Sequence, residues 1–381
     1  MTYGMTCPKC GLMQLAGPTC KSCGTSMGGP VRPKDPPNIQ APRATPPPPK
    51  PPQSPPSRSV PSEAGAGRGQ LRQLSFHGSG GSLFGIHLVN TFLTIISLGI
   101  YYFWAKVKVR KYLLSESEFE GDRFAYHGTG QELLIGFLKI LVFFALPLFF
   151  LGILRGFLVR MPGLSAVIGL VTYIAVLILI PYAIVGARRY RLSRTSWREI
   201  RFSFRGGVRD FIRLFLTGGL LSSITLGLYY PFFETRRHGF MISHSYFGNQ
   251  RFDFDGKGRD LFGSFLLAIF LSIPTLGLIW FWYQAKKQRY YWGHTSFATA
   301  RFRSTVNGTR LFLLNAGNLV LLIITLGLAF PWVMVRNARF AFRYLFLQGP
   351  LDLSGIQQEA QVTTATGEAL AGFLDAGLDM G

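Results

Sequence analysis

Charge is scarce in this 381-residue chain, and acidic charge is scarcest. Only 15% of the residues are charged, whereas soluble globular domains carry roughly 25%. The 18 acidic residues are outnumbered by 40 Lys and Arg, and Phe alone contributes 34 residues. Mean hydropathy is +0.25. This is not the composition of an ordinary soluble domain, so membrane proteins and nucleic-acid-binding proteins remain, and the positive hydropathy favours the membrane.

Known catalytic signatures are also missing. The sequence contains no Gly-x-Ser-x-Gly, no His-Glu-x-x-His and no Cys/His dyad. Two Gly-x-Gly turns, at 128–130 and 256–258, lack the Gly-Lys-Ser/Thr ending of a phosphate-binding loop. We therefore predict neither a nucleotide site nor any catalytic residues, and we expect a protein that is not an enzyme.

Cysteine occurs only near the N-terminus, in two C-x2-C pairs. The ligands would be Cys7, Cys10, Cys20 and Cys23. Two such knuckles supply a closed tetrahedral site for a structural Zn²⁺, and two disulfides are the alternative. Residues 1–28 are thus predicted to form a small N-terminal zinc ribbon. Because these residues lack the apolar core of a signal peptide and zinc thiolates need a reducing compartment, the N-terminus is expected in the cytoplasm.

Residues 29–72 are rich in proline and carry no apolar face. Fourteen prolines fall within residues 30–70, which is typical of an extended, disordered linker. The last segment, 350–381, has no Lys or Arg and is predicted to be a flexible C-terminal tail.

The remaining part, 73–349, repeats itself in units of about fifty residues. An aromatic-rich strand pattern ends in a glycine at Gly78, Gly128, Gly206 and Gly256, and Val306 takes this place in the fifth unit. Each unit then has an apolar stretch, in four of the five a Leu-Gly break, and a basic and aromatic run before a short pair of alternating segments that predicts a β-hairpin. Such regular spacing indicates a fold built from repeated units.

The first unit carries a specific motif, Leu-Gly-Ile-Tyr-Tyr-Phe-Trp-Ala-Lys-Val at 98–107, followed by Tyr112 and Phe-Ala-Tyr-His-Gly-Thr-Gly-Gln-Glu-Leu at 124–133. This pattern resembles the YjgN-like family of bacterial inner-membrane proteins over about residues 74–350. The resemblance implies a multi-pass protein of the bacterial inner membrane. It supplies no catalytic residue and no established activity.

Six apolar stretches of membrane-spanning length are visible, at roughly 83–103, 131–154, 163–186, 210–233, 260–283 and 309–333. They predict an all-α polytopic membrane protein with short β-hairpins between the repeats. Strict alternation of these stretches, with the N-terminus inside, would place 20 basic residues of the loops outside. If the short units instead enter the membrane and return, 28 basic residues lie inside and two outside, which satisfies the positive-inside rule. Both topologies stay open.

Polar residues within the apolar stretches would be costly inside a membrane, so we expect them to have a functional or structural role. His87 and Asn90 lie three residues apart in the first stretch, and Asn315 and Asn318 do so in the last. They could line a pathway as an intramembrane polar patch, or they could lock the bundle by hydrogen bonds between helices.

Basic residues next to aromatic residues border the apolar stretches, which is where cations meet anionic lipid head groups. The residues expected at this lipid interface are Trp104, Lys106, Arg188, Arg189, Arg236, Arg237, Lys286 and Lys287. Because each run borders an apolar stretch, the lipid bilayer is the expected partner and nucleic acid is not.

Three functions fit these features. The first is a non-enzymatic membrane scaffold or sensor whose zinc ribbon contacts a protein partner. The second is a small-solute transporter or channel with the repeats around a central path, and the third is a membrane-embedded enzyme. A cavity lined by the polar patch would favour transport, and clustered acids and histidines would favour catalysis.

Overall fold

The computed structural model describes residues 4–6, 13–15 and 71–358, apart from 352 and 354. The chain divides into two compact units, Met1–Ala64 and Gly65–Gly381. In the first unit, β1 (Gly4–Thr6) and β2 (Met13–Leu15) pair antiparallel. The predicted zinc ligands Cys7, Cys10, Cys20 and Cys23 lie outside the described residues, as does most of the predicted proline-rich linker.

The second unit is built on a closed barrel of ten antiparallel strands. Each strand pairs with the next one along the chain, and the last strand pairs with the first, with Phe346 opposite Gln73. The strands are β3 (Leu71–Phe76), β4 (Ser117–Phe119), β5 (Asp122–Tyr126), β6 (Thr195–Trp197), β7 (Ile200–Phe204), β8 (Ser245–Phe247), β9 (Gln250–Phe254), β10 (Thr295–Phe297), β11 (Ala300–Ser304) and β12 (Leu345–Gln348).

The barrel shows that the predicted fold class, an all-α polytopic membrane protein with short hairpins, is wrong. The strands have only three to six residues, and an isolated hairpin of that length is marginally stable in water. Pairing every hairpin with its neighbours removes all exposed strand edges. The hairpins therefore form one closed barrel instead of separate connections between helices.

The inside of the barrel is filled by one large apolar side chain from each strand. These residues are Leu74, Phe119, Phe124, Trp197, Phe202, Phe247, Phe252, Phe297, Phe302 and Leu347. We call them the barrel ring. They stand directly opposite one another in five cross-strand pairs, such as Phe124 with Trp197 and Phe202 with Phe247. The cavity between them measures only about 160 Å³, and its walls are apolar.

The two ends of the barrel carry different connections. Two-residue turns join the strands of each hairpin at one end, and both Glu120-Gly121 and Arg198-Glu199 have positive φ at both positions, as type I′ turns require. Residues after β12 cover this turn end, where Leu351, Leu353 and Ile356 pack against the ring. Because the strands alternate in direction, every helical connection leaves from the opposite end, the helical end.

Helix pairs form these connections. Their helices are α1 (Gly80–Ile96), α2 (Tyr102–Ser115), α3 (Gly130–Ile140), α4 (Leu146–Phe157), α5 (Pro162–Ser193), α6 (Val208–Ile224), α7 (Tyr230–Ser243), α8 (Gly258–Ser272), α9 (Ile279–Gly293), α10 (Gly308–Ile324) and α11 (Phe330–Arg343). A π-helical turn and a 3-10 turn extend α3 and α4 into one helix, Gly130–Arg160. Within the described residues, two helices are long and apolar enough to cross a bilayer, Gly130–Arg160 and Pro162–Ser193.

The other four apolar stretches of the sequence are broken in the middle. In each, the first helix ends in a Schellman motif: Leu98 N–H donates to Ile95 O, and Gly99 N–H donates to Thr94 O at 2.8 Å. The same pair of bonds recurs at Leu226-Gly227, Leu276-Gly277 and Leu326-Gly327. The chain then turns back into the second helix of the pair, so each short connection is a helical hairpin that begins and ends at the barrel.

Neighbouring connections pack through one repeated contact. Trp104 lies against Gly130, Trp282 against Gly308, and Trp332 against Gly80. A Cβ at Gly130 would come within 2.5 Å of the Trp104 ring. The start of each of these helices is therefore fixed against an aromatic ring of a neighbouring connection, and the ring of contacts closes between the last connection and the first.

Candidate functional site

The tips of the four helical hairpins present a leucine each to the surroundings. Leu98, Leu226, Leu276 and Leu326 are 93, 93, 91 and 92% exposed, and φ is 50–51° at all four. Glycine is the usual residue in this left-handed position, which costs other residues about 1–2 kcal/mol. An exposed leucine at such a cost indicates contact with an apolar environment. We call these residues the tip leucines.

A cavity of about 700 Å³ lies at the helical end of the barrel. Four residues of the barrel ring, Leu74, Phe202, Phe252 and Phe302, form one wall of this central cavity and also line the small space inside the barrel. The remaining wall comes from helices and strand ends: Arg188, Leu192, Ile242, Ser245, Gln288, Trp292, Thr295, Ser304, Val306, Leu311, Leu314, Asn315, Asn337, Phe340, Ala341, Phe342 and Leu345.

Among the described residues, Arg188 is the only charged one in the lining of the central cavity. It lies near the end of α5, and its Nη2 donates to Ser245 Oγ at 3.3 Å. Its Nε is buried and has no hydrogen-bond partner among the described residues. The cavity therefore combines apolar walls with one cation whose hydrogen-bonding capacity is only partly used.

The structure does not bring the four residues of the predicted polar patch to one place. Asn315 lines the central cavity, and Asn318 donates to Asn337 Oδ1 at 2.8 Å. Asn90 is buried with its Nδ2 3.4 Å from Ala105 O, and the His87 ring lies 6.0 Å from that of Phe330. Asn90 and Asn318 thus contact neighbouring helices, which corresponds to the interhelical alternative.

Several of the predicted lipid-interface residues have partners within the protein. Trp104 packs on Gly130, Arg188 lines the central cavity, and Arg189 donates to Gly206 O at 2.9 Å. Lys286 bonds to Ser264 Oγ, and Lys287 contacts Glu234.

Two arginines of this region remain near the surface. Arg236 lines a separate groove of about 310 Å³ together with Asp210 and Arg213. Arg237 lies close enough to His238 to act on it electrostatically. Lys106 takes part in a cation–π contact, its Nζ 5.9 Å from the Tyr102 ring.

A buried ion pair between α7 and α9 was not foreseen from the sequence. Lys287 Nζ lies 2.9 Å from Glu234 Oε1, and their side chains are only 12 and 10% exposed. The rings of His238 and Tyr291 stack beside the pair at a centroid distance of 4.2 Å. Separating the two helices here would leave each charge buried without its partner, which is costly. The pair therefore stabilises the contact between α7 and α9. A lone acid within a basic and aromatic run was the signal that could have revealed it.

The histidines beside the hairpins do not converge. His127 Nε2 lies 2.7 Å from Ser196 Oγ, whereas His294 pairs with Asp255 at 2.6 Å. Burial, and then the nearby Arg201, lower the pKa of His127, which keeps it neutral at pH 7. Among the described residues there is no group of three or more potential metal ligands.

These features define a class of protein: a closed antiparallel barrel that carries all its helical connections at one end, one of them formed by two helices long enough to cross a bilayer. The chain belongs to the family described as bacterial protein of unknown function (DUF898), which matches residues 72–280 and 269–373. The predicted zinc ribbon lies outside the matched residues.

Curated relatives carry the name inner membrane protein YjgN, in agreement with the resemblance drawn from the sequence. Those of Escherichia coli O157:H7 and strain K12 are 35 and 34% identical over 157 residues, 41% of this chain and 36% of each relative. The protein of Salmonella typhimurium LT2 is 35% identical over 136 residues, 36% of this chain and 32% of the relative. The matches thus span about a third of these relatives. No solved structure matches the chain.

Proposed function

We propose that this chain is a non-enzymatic scaffold or sensor of the bacterial inner membrane. The barrel lies at the cytoplasmic face, Gly130–Arg160 and Pro162–Ser193 cross the bilayer as a pair, and the four helical hairpins enter the membrane and return. The relatives named as inner membrane proteins support the location. A zinc ribbon held by the four cysteines completes the proposal as the end that contacts a protein partner.

The observation that carries this proposal is the set of tip leucines. The first helices of the four hairpins, α1, α6, α8 and α10, have 15 to 17 residues, a length of about 22–26 Å. This is shorter than the roughly 30 Å of a hydrocarbon core. A helix that leaves the barrel and ends after this distance reaches into the bilayer without crossing it, and its tip leucine meets lipid.

The distribution of charge gives independent support. With one crossing pair and four returning hairpins, 28 basic residues of the connecting segments share the barrel side and two lie at the far turn. Arg155 and Arg160 are those two residues, next to the turn that joins the long helices. By the positive-inside rule, this distribution supports a barrel on the cytoplasmic side.

The transporter alternative has less support. The units follow one another around the barrel axis, and their helices all leave from the same end, so they are not inverted repeats of the kind that frame many transport paths. The aromatic side chains of the barrel ring fill the axis, and Leu351, Leu353 and Ile356 cover its turn end. The central cavity therefore suits binding more than passage.

The topology can be tested by labelling single cysteines in intact cells. In a background with Ser at all four natural cysteines, exposed turn positions would be changed as Glu120→Cys, Asn249→Cys or Thr299→Cys. We expect all three to resist an impermeant thiol reagent until the membrane is opened. Gly163→Cys, at the far turn, should react in intact cells.

Each outcome has a clear meaning for the proposal. Reaction of the three barrel turns in intact cells, with Gly163→Cys protected, would reverse the orientation. Reaction of only some of the three turns would contradict returning hairpins and restore strict alternation of the apolar stretches. Full reaction at every site in permeabilised cells shows that each cysteine can react once the membrane is open, so protection in intact cells reports its side of the membrane.

A further inference from the structure

The wall of the central cavity contains both polar and apolar groups. Arg188, Ser245, Gln288, Asn315 and Asn337 supply the main polar groups, and leucine and aromatic side chains supply most of the remaining wall. Its volume of about 700 Å³ falls within the range of roughly 300–1,000 Å³ that is usual for small-molecule sites. Such a wall suits a ligand that has a polar end and an apolar chain.

The charge of the cavity selects the sign of that polar end. Arg188 lines the cavity, and no acidic residue in the part of the chain that the structure describes does so. Its recorded contact is a long hydrogen bond to a neutral hydroxyl, Ser245 Oγ at 3.3 Å, and its Nε has no partner among the described residues. A guanidinium that is partly buried without a counter-ion is costly, and a carboxylate or phosphate ligand would relieve this cost with charge-assisted bonds.

The neighbouring basic residue does not share this property. Lys287 lies one residue from Gln288 of the cavity wall, but Glu234 Oε1 is 2.9 Å from its Nζ and neutralises it. Lys286 Nζ donates to Ser264 Oγ, and Lys286 is not part of the cavity lining. The uncompensated positive charge of this wall therefore belongs to Arg188.

Two amides add polar groups to the wall. Asn337 lines the cavity, and its Oδ1 accepts from Asn318 Nδ2 at 2.8 Å. Gln288 lines the same cavity. Leu311 and Leu314 of α10 lie among the apolar residues of the wall. An anion near Arg188 would thus have an apolar surface available for an attached chain.

We propose that the central cavity binds a single-chain anionic amphiphile, a long-chain carboxylate, with its head on Arg188 and its chain along α10. A volume of about 700 Å³ has room for one such chain. This inference rests on the cavity and Arg188, and it holds whichever membrane topology is found. It gives the proposed sensor function a ligand. If the ligand does not bind, the proposed scaffold function is unaffected.

The test uses the full chain in nanodiscs of neutral phosphatidylcholine, with dansyl-undecanoate as the probe. Trp292 lines the cavity, so bound probe should accept energy from it. We expect saturable transfer that palmitate displaces. Dansyl-undecanoate methyl ester should bind at least ten-fold more weakly, because it lacks the charge that pairs with Arg188.

Variants locate the site. Arg188→Gln should weaken binding at least ten-fold, whereas Lys286→Gln, which removes one equal charge outside the cavity lining, should leave the Kd unchanged. Leu314→Trp adds bulk to the wall and should abolish saturable transfer although Arg188 is retained. The unfolding midpoint of each variant shows whether it is folded, and Leu314→Trp keeps the test decisive if Arg188→Gln does not fold.

Four results would overturn the proposal. These are equal binding of acid and ester, wild-type affinity in Arg188→Gln, an equal loss in Lys286→Gln, and wild-type binding in a folded Leu314→Trp variant. Displacement of the probe by two-chain phosphatidylglycerol at lower concentration than by palmitate would contradict the single-chain assignment.

Discussion

At the scale of single residues, the barrel is held by large apolar side chains at fixed sequence spacing. Phe202, Phe252 and Phe302 follow one another at fifty-residue steps and occupy the same place on β7, β9 and β11. Their opposite partners across the strand pairs, Phe247, Phe297 and Leu347, follow the same steps. Aromatic pairs in tilted contact, such as Phe202 and Phe247 with centroids 4.9 Å apart, contribute beyond the area that they bury.

Phe247→Ala should therefore destabilise the barrel strongly. Phe247 is 3% exposed, and truncation of such a buried Phe costs about 3–5 kcal/mol. Thermal or denaturant unfolding of the purified protein would measure the loss. The matched control is Phe143→Ala, since Phe143 is 70% exposed on the long apolar helix and should change stability by less than about 0.5 kcal/mol. Equal effects of the two substitutions would contradict a packed barrel interior.

At the scale of elements, the helical hairpins depend on one local motif. Thr-Leu-Gly or Ser-Leu-Gly ends the first helix, and the Thr or Ser side chain then starts the second: Thr225 Oγ1 accepts from Tyr229 N–H at 3.0 Å, and Ser97 Oγ accepts from Tyr101 N–H at 2.8 Å. The break is thus encoded by three consecutive residues. It explains why stretches of membrane-spanning length form two short helices.

The depth of the tip leucines gives the prediction at this scale. In the cysteine-free background, Leu276→Cys would carry an environment-sensitive nitrobenzoxadiazole group, and Thr299→Cys would carry the same group at the barrel turn. Lipids spin-labelled on the acyl chain should quench the first fluorophore and leave the second unchanged, because only the tip reaches the hydrocarbon. Quenching of neither fluorophore would contradict insertion of the hairpins, and equal quenching of both would contradict a barrel outside the bilayer.

At the scale of the whole molecule, part of the account was available from the sequence. The Leu-Gly breaks and the basic residues at repeated positions favoured returning hairpins over six crossings, and alternation in segments such as Arg251-Phe252-Asp253-Phe254 predicted the hairpins. Tyr112 follows the first Leu-Gly break. Its hydroxyl bonds to the backbone of Ser79, and the spacing of the repeat did not reveal this partner.

The closure of the barrel could not be predicted. β3 and β12 are separated by the whole length of the second unit, and each has only a few residues, so neither carries a signal of its own beyond a short apolar alternation. Cross-strand pairing over such a distance depends on the packing of all the intervening elements. The central cavity could not be predicted for the same reason, because residues that line it, such as Arg188 and Asn337, come from distant parts of the chain.

The most direct test of the account is a crosslink across the seam of the barrel. Gln73→Cys combined with Phe346→Cys, in the cysteine-free background, places two thiols on directly opposed residues of β3 and β12. We predict that mild oxidation joins them in a disulfide, seen as a circularised chain by gel mobility and by mass spectrometry of the linked peptides. Gln73→Cys with Tyr246→Cys, on strands that are not neighbours, should stay reduced. An unlinked first pair, or equal linkage of both pairs, would contradict the closed barrel.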